Sequence, residues 1–289
     1  MNDLCVAAVV MRSVVGKTSD NLNRMKAWVQ EASSKGAELV CFPELNITGY
    51  SVADSICSVA EPITGKSVQA VLDMAIDSGL SVLAGLAERD EQGRIFASHL
   101  VASPEGFRGV YRKCHLSPLE QPVYSSGKIV SPFNFKGTSF GVELCYDTHF
   151  PELSTLLALK GANILFCPHA SPHGTPQQKK DKWFRHLRAR AYDNAVFVVA
   201  CNQTGTNGDG LHFPGLALVF NPSGELIAEH AGGEGILIAH LKAADLAYVR
   251  ENYMRFFLPN RRPELYRNCQ KYRIRQGLKK NFAQKSRFP

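Results

Sequence analysis

Segments of strand pattern and segments of helix pattern take turns along this sequence, and no other feature restricts its fold as much. LCVAAVVM, near the start, reads as a strand. TSDNLNRMKAWVQEASSKG, after it, reads as an amphipathic helix, with Leu22, Met25, Trp28 and Val29 spaced for one face and Gly36 ending it. AELVCFP is then a buried strand. The same order recurs where LLALKG precedes ANILFCPH, and where FRHLRARAYDN precedes AVFVVACNQ. Strands that alternate with helices imply βαβ units and an α/β class.

Two of these units echo one another. GAELVCFPE (Gly36–Glu44) and GANILFCPH (Gly161–His169) share a Gly-Ala that ends a helix, a short strand core and a proline before a polar residue. The echo suggests two similarly built halves. Proline cannot donate to a sheet ladder, so each strand is expected to end there. Glu44 and His169 would then stand at strand mouths, where open α/β folds place their sites. DEQGR and NPSGE read as hairpin turns, while SPHGTPQQ and QTGTNGDGLHFPG are longer and more polar than a connection requires and are read as the border of a pocket.

With 289 residues, 45% of them hydrophobic, the chain can bury a large core. Its longest apolar runs, such as AVFVVAC and GILIAHL, are of strand length, short of the ~18–20 residues that cross a bilayer. The start carries an acid before its short apolar run and no basic leader, which argues against a secretory signal. The eight cysteines are dispersed, with no CxxC pair, and several sit inside strand-like segments. That pattern fits free thiols in a reducing compartment, the cytoplasm. The formal charge of +7 belongs to the end of the chain: from Arg261 onward ten Lys or Arg face one acid, Glu264, a net of +9 that leaves −2 for all that precedes it. No aromatic-basic motif accompanies that run, so the sequence favours a solvated or subunit-binding arm over a nucleic-acid site. We divide the chain into one domain, residues 1–266, and a basic C-terminal extension, 267–289.

Three reactive side chains each follow an apolar run: Glu44 in LVCFPELNITGY, Lys113 in GFRGVYRKCHLSPLE and Cys145 in GVELCYDTHFPE. Each has a plain structural reading when taken alone, as a solvated strand end or a packed thiol. Together they make a nucleophilic set. A thiol near its ordinary pKa needs activation, a carboxylate in reach can take its proton, and an ammonium can lower the thiol pKa and hold an oxyanion. A helix starting at the thiol adds N–H groups and a favourable dipole.

These segments resemble the signatures of the nitrilase superfamily, the carbon–nitrogen hydrolases. FPELNITGY is similar to its glutamate motif, YRKCHL to its lysine motif and GVELCYDTHFPEL to its cysteine motif, in the family's order. The resemblance continues through RARAYDNAVFVVACNQTG, FPGLALVFNPSGE and FLPNRRPELY, roughly residues 4 to 266. It implies an αββα sandwich with Glu44 as general base, Lys113 as oxyanion stabiliser and Cys145 as nucleophile. It further implies that Glu120 positions substrate and lysine, and that the Tyr146 N–H is a second oxyanion donor. The implied reaction is hydrolysis of a non-peptide C–N bond through a Cys thioester, with no metal or organic cofactor, in a homodimer or larger assembly. Nitrile hydrolysis, acyl transfer on the same fold and a non-catalytic scaffold are the alternatives.

Other residues take their readings from local chemistry. His169 is read as lining the pocket or as a satisfied polar group near a strand end. His169 and His173 are four apart, but Pro172 and Gly174 argue against the helix a metal pair would need. Asp147 is expected to bond local backbone at the helix start. Arg188, Arg190 and Asp193 are expected to form structural ion pairs on a helix. Many relatives read Cys-Tyr-Asp-x-Arg-Phe-Pro-Glu, whereas His149 stands here in place of the arginine, and Tyr146-Asp147 differs from the Cys-Trp-Glu of true nitrilases. An amide or carbamoyl substrate is therefore favoured over a nitrile.

Overall fold

The structure, a computed structural model, describes residues 1–267. All but the first residue of the basic extension lies outside the described residues. In the first half, β1 (Leu4–Val10) leads into α1 (Thr18–Ser34), β2 (Leu39–Cys41), α2 (Ser55–Val59), α3 (Lys66–Ser78) and the meander β3 (Ser81–Arg89), β4 (Ile95–Ser103), β5 (Gly106–Arg112). β1, β2 and β3 run parallel, and β4 and β5 add antiparallel strands. The second half opens with β6 (Phe133–Phe135) and β7 (Thr138–Val142), then α4 (Pro151–Leu159), β8 (Ile164–His169), α5 (Pro176–Asn194) and β9 (Phe197–Asn202). A small hairpin, β10 (Thr204–Thr206) with β11 (His212–Pro214), precedes β12 (Leu216–Phe220) and β13 (Leu226–Ala231). β7, β8 and β9 form the second parallel triplet, flanked by antiparallel β6 on one side and β12 and β13 on the other. β14 (Gly235–Leu241) then crosses back to pair with β1, and α6 (Ala243–Arg250) follows. Each sheet has six strands, and the echoing segments contribute the middle strand of each parallel triplet.

Alternation along the strands sorts side chains into three cores. Val6, Ala8, Val10, Leu39, Cys41, Leu83, Val142, Phe166 and Val199 point inward between the sheets. Ala7, Val9, Val40 and Val82 point outward onto Met25 and Val29 of α1 and Val68 and Val71 of α3. On the far side Leu165, Val198 and Leu218 meet Leu157 of α4 and Trp183, Leu187 and Ala191 of α5. The layers are therefore α, β, β, α, as the motifs implied.

One expectation fails. β2 ends before Pro43, but β8 runs through Pro168 to His169, which pair with Cys201 and Asn202 of β9. The Glu143 N–H donates to Phe166 O at 2.9 Å, so residues of that parity face β7. Pro168, two residues on, faces the side where β7 has already ended at Val142, and its missing N–H costs no ladder bond.

Candidate active site

Strand ends from both sheets bring four side chains to one place. After β2, Phe42 N–H still reaches Leu83 O at 2.9 Å; Pro43 stops the ladder and Glu44 follows, with Leu45 at φ +53°. That turn lies flush against β3: a Cβ on Gly85 would overlap Leu45 N, and Gly85 N–H donates to Asn46 Oδ1 at 2.7 Å. Gln203 Nε2 fixes the Glu44 carbonyl at 2.7 Å. After β5, Lys113 N–H bonds Ala97 O and its carbonyl accepts from Gly127 N–H at 2.8 Å, an approach so close that a Cβ on Gly127 would overlap Arg112 O.

After β7, Cys145 opens a 3-10 helix, Cys145–His149, with φ at +42°, a left-handed conformation that is sterically costly for cysteine. Three contacts hold it. Thr148 Oγ1 donates to Cys145 O at 2.7 Å, and Arg190 Nε donates to Thr148 O at 3.2 Å. Asp147 accepts from Leu144 N–H at 3.1 Å, from Tyr111 Oη at 2.7 Å and from His115 N–H at 2.8 Å, which fastens the cysteine turn to the chain on either side of Lys113. The first N–H groups of a helix lack intrahelical partners, and those of Cys145 and Tyr146 open this one.

Glu44, Lys113 and Glu120 are 0, 1 and 2% exposed, while Cys145 is partly exposed. The Lys113 ammonium donates to Glu44 Oε1 at 2.7 Å and to Glu120 Oε1 at 2.6 Å. Glu44 Oε2 accepts from the Ala170 N–H at 3.0 Å. Glu120 Oε2 accepts from Ser117 N–H at 2.7 Å, and its Oε1 from Tyr50 Oη at 3.2 Å. An ammonium has three donors, so Lys113 keeps one beyond the two carboxylates.

Burial pushes the Glu44 carboxyl up to about 7; Lys113 opposes the rise and Glu120 adds to it. Burial works against the Lys113 charge, but Glu44 and Glu120 hold it well above the usual lysine range. The Cys145 thiol is also pushed up, by burial first and then by the Glu44 charge, against the pull of Lys113, Glu120 adding and Lys179 opposing. The lysine pulls the thiol pKa down as expected, but burial and the Glu44 charge outweigh it. Its charge is already shared between two carboxylates, so Cys145 rests as a thiol.

Of the residues read from the sequence, Glu44, Lys113, Glu120 and Cys145 come together, with the Tyr146 N–H beside the thiol. His169 is buried, with its Nδ1 donating to Cys167 O at 2.7 Å and its ring 4.2 Å from Trp183. Asp147 bonds local backbone as expected and more distant groups besides. The ion pairs expected of Arg188, Arg190 and Asp193 do not form among the described residues; Arg190 is buried and bonds backbone, because its helix face covers the cysteine turn. Sequence reasoning passed over Tyr50, which closes FPELNITGY, and Gln203, which lies in VVACNQTG. Ala170 gave no signal, since it acts through its backbone.

Comparison with known proteins identifies the family. The sequence model of the carbon–nitrogen hydrolase family matches residues 5–251. A 2-oxoglutaramate amidase of Bacillus subtilis is 34% identical over 82% of this chain and 90% of its own. A nitrilase of Pyrococcus abyssi is 30% identical over 90% of this chain and 98% of its own. The solved structure of an amidase from Nesterenkonia sp. superposes with a TM-score of 0.81 over 92% of this chain and 99% of that one, at 24% identity, and so shares the fold. The chain belongs to the carbon–nitrogen hydrolase family, the nitrilase superfamily, and is a hydrolase of carbon–nitrogen bonds other than peptide bonds.

Proposed function

We propose that the protein hydrolyses an amide or carbamoyl substrate with Cys145 as nucleophile, Glu44 as general base and Lys113 as oxyanion stabiliser, Glu120 holding the lysine. The observation that carries this reading is the buried Lys113 ammonium, bonded to Glu44 and Glu120 with one donor left over. In the first half of the cycle, Cys145 Sγ attacks the carbonyl carbon as its proton passes to Glu44. The spare Lys113 N–H and the Tyr146 N–H take the oxyanion, and Glu44 hands the proton to the departing ammonia or amine. In the second half, Glu44 takes a proton from water, the resulting nucleophile attacks the thioester, and the carboxylic acid leaves as the proton returns to the sulfur. A base near 7 suits both proton transfers, since it exists in either form at neutral pH. His169 supports the strand end that presents the Ala170 N–H to Glu44.

Incubation with small amides, followed by intact-mass analysis, tests the proposal. A mass increase equal to the acyl group on Cys145, lost together with ammonia release in Cys145→Ala, is expected. Full turnover in that variant would end it. A parallel nitrile series and an added amine acceptor separate amide hydrolysis from nitrile hydrolysis and acyl transfer.

Three wider readings go with it. We take residues 1–266 as one domain, because β14 pairs with β1 along its whole length, Leu4 opposite Leu241. Seven free cysteines among the described residues support a reducing, cytoplasmic setting, and no helix among those residues is long and apolar enough to cross a membrane. We infer a homodimer formed over the outer face of α4, where Leu156, Leu159 and Tyr266 are exposed around one groove.

A further inference from the structure

A cavity of about 300 Å³ opens at the β5 edge of the first sheet, and its size is that of a small-molecule site. None of the four side chains of the catalytic cluster lines it. Buried Phe96 of β4 and Val110 of β5 give it an apolar floor, and Ile129, 78% exposed, adds an apolar rim. Its other walls are cations, Arg94, Arg112 and Lys128. Arg112 Nε donates to Glu88 Oε2 at 2.8 Å and its Nη2 to Glu88 Oε1, while Arg94 Nε donates to Asp90 Oδ2 at 2.7 Å. The guanidinium carbons of Arg112 and Arg94 lie 4.4 and 5.4 Å from the centre of the Phe96 ring. Both groups are thus held in place before any ligand arrives.

The lining says what kind of ligand fits. Bidentate pairing takes two of the five Arg112 N–H donors, and the side chain stays 35% exposed. No carboxylate pairs with Lys128 among the described residues. Three cations against the two acids leave one positive charge unmatched above the apolar floor. A single carboxylate on a flat apolar body answers both features, since a guanidinium binds carboxylate along its N–H edge and stacks on rings with its face.

The same cavity reaches the catalytic cluster through the backbone. Arg112 directly precedes Lys113, and Gly127, in the opposite wall, donates its N–H to Lys113 O at 2.8 Å. That wall also ends the loop that carries Glu120, which Ser125 N–H ties to Ile95 O at 2.7 Å. A ligand held by Arg112 on one side and Lys128 on the other would brace the Gly127–Lys113 bond from both ends. We propose that this cavity is an effector site for a small monocarboxylate with a flat apolar body, and that filling it steadies Lys113 and quickens the chemistry at Cys145. The coupling rests on the reading of Lys113 as a member of the catalytic cluster; the binding does not.

The test titrates the full chain with phenylacetate, acetate and 2-phenylethanol by calorimetry. Phenylacetate should bind once per chain, ~10-fold or more tightly than acetate or the neutral alcohol. Lys128→Glu and Ile129→Asp, both at exposed positions, should melt like wild type and weaken that binding ~10–100-fold. Absence of phenylacetate binding, or binding that both variants leave unchanged, overturns the proposal. Alkylation of Cys145 by iodoacetamide, followed by peptide mass, reads the coupling without turnover. Lys113 pulls the thiol pKa down, so saturating phenylacetate should speed alkylation ~2–5-fold in wild type and not in Lys128→Glu. Slower alkylation would put the ligand over the cysteine, and an unchanged rate would deny the link to Lys113; either result overturns the proposal. Failure of the underlying enzyme reading would show separately, as turnover that survives Cys145→Ala.

Discussion

Replacing Glu120 by glutamine should move the acid limb of the pH–rate profile to lower pH, the opposite of what a merely weakened site would do. In the proposed mechanism Glu44 must be a carboxylate to accept the thiol proton, and burial raises its pKa to about 7. In wild type, kcat/KM should therefore fall about tenfold per pH unit below that value. Glu120 is one of the groups holding the Glu44 pKa up. Both carboxylates bond the same ammonium, at 2.7 and 2.6 Å, which sets their charges roughly 5 Å apart. Coulomb's law with an effective dielectric constant of about 20 gives roughly 3 kcal/mol of repulsion, or about 2 pH units. Removing one charge also leaves Lys113 wholly to Glu44, which pushes in the same direction.

The expected result is an acid limb displaced downward by about one to two units, with a lower plateau because Lys113 has lost one of its two anchors. Initial rates of ammonia release between pH 4.5 and 9 would measure it, with thermal melts over the same range to confirm that the variant stays folded. An acid limb that stays in place or moves upward would refute the assignment of Glu44 as the titrating base and the charge balance drawn around Lys113.

Four further outcomes follow from particular contacts. Asp147→Asn keeps one carbonyl oxygen for donors that now compete, Tyr111, His115 and Leu144; melts should show a loss of ~2–4 kcal/mol, and kcat should fall as the cysteine turn loosens. Gly127→Ala should cut kcat sharply with less effect on KM, since its Cβ must displace the strand that carries Lys113; unchanged steady-state rates would contradict this. Glu143 is buried, its Oε1 lacks a partner, and burial raises its pKa to about 8 from an ordinary 4.5. Its protonated form favours the folded state below about 4.5, and that contribution is lost as pH rises to about 8, so Glu143→Gln should flatten the fall of Tm across that window. Introducing Asp at both Leu156 and Leu159 should convert a dimer to a monomer in light scattering, and an unchanged mass would exclude the α4 face.

The fold was legible because its signal is periodic. The alternation of strand and helix patterns, and the echo around Glu44 and His169, survive in the sequence since each sheet buries one face inward and one outward. The site was legible where a reactive side chain directly follows an apolar run, as with Glu44, Lys113 and Cys145. What escaped has a common cause: its meaning lies in contacts between distant segments. Arg190 carries the pattern of a surface helix charge, yet its face covers the cysteine turn, and it bonds a carbonyl where an acid was expected. Lys179 stands in the run KKDK, which reads as solvated, and only the path of the β8–α5 connection buries it. β8 passes through Pro168 because its neighbour on that side has ended, and no local rule reports where a neighbour ends.

In the proposed cycle, the charge arrangement lets the Cys145 thiol serve as the nucleophile although its pKa is raised. Two carboxyl groups already share the single Lys113 ammonium, and a resting thiolate would add further negative charge in a buried space. A thiol that loses its proton only as it attacks avoids that state. In the proposed cycle the proton lands on Glu44 and neutralises it, while the developing negative charge leaves the sulfur for the substrate oxygen. Lys113 is then freed from one carboxylate at the moment an oxyanion needs it. Stabilisation is thus stronger in the transition state than in the ground state, which is the condition for a rate gain. The left-handed Cys145 backbone belongs to the same arrangement, held at a cost that the bonds from Thr148, Asp147 and Arg190 offset.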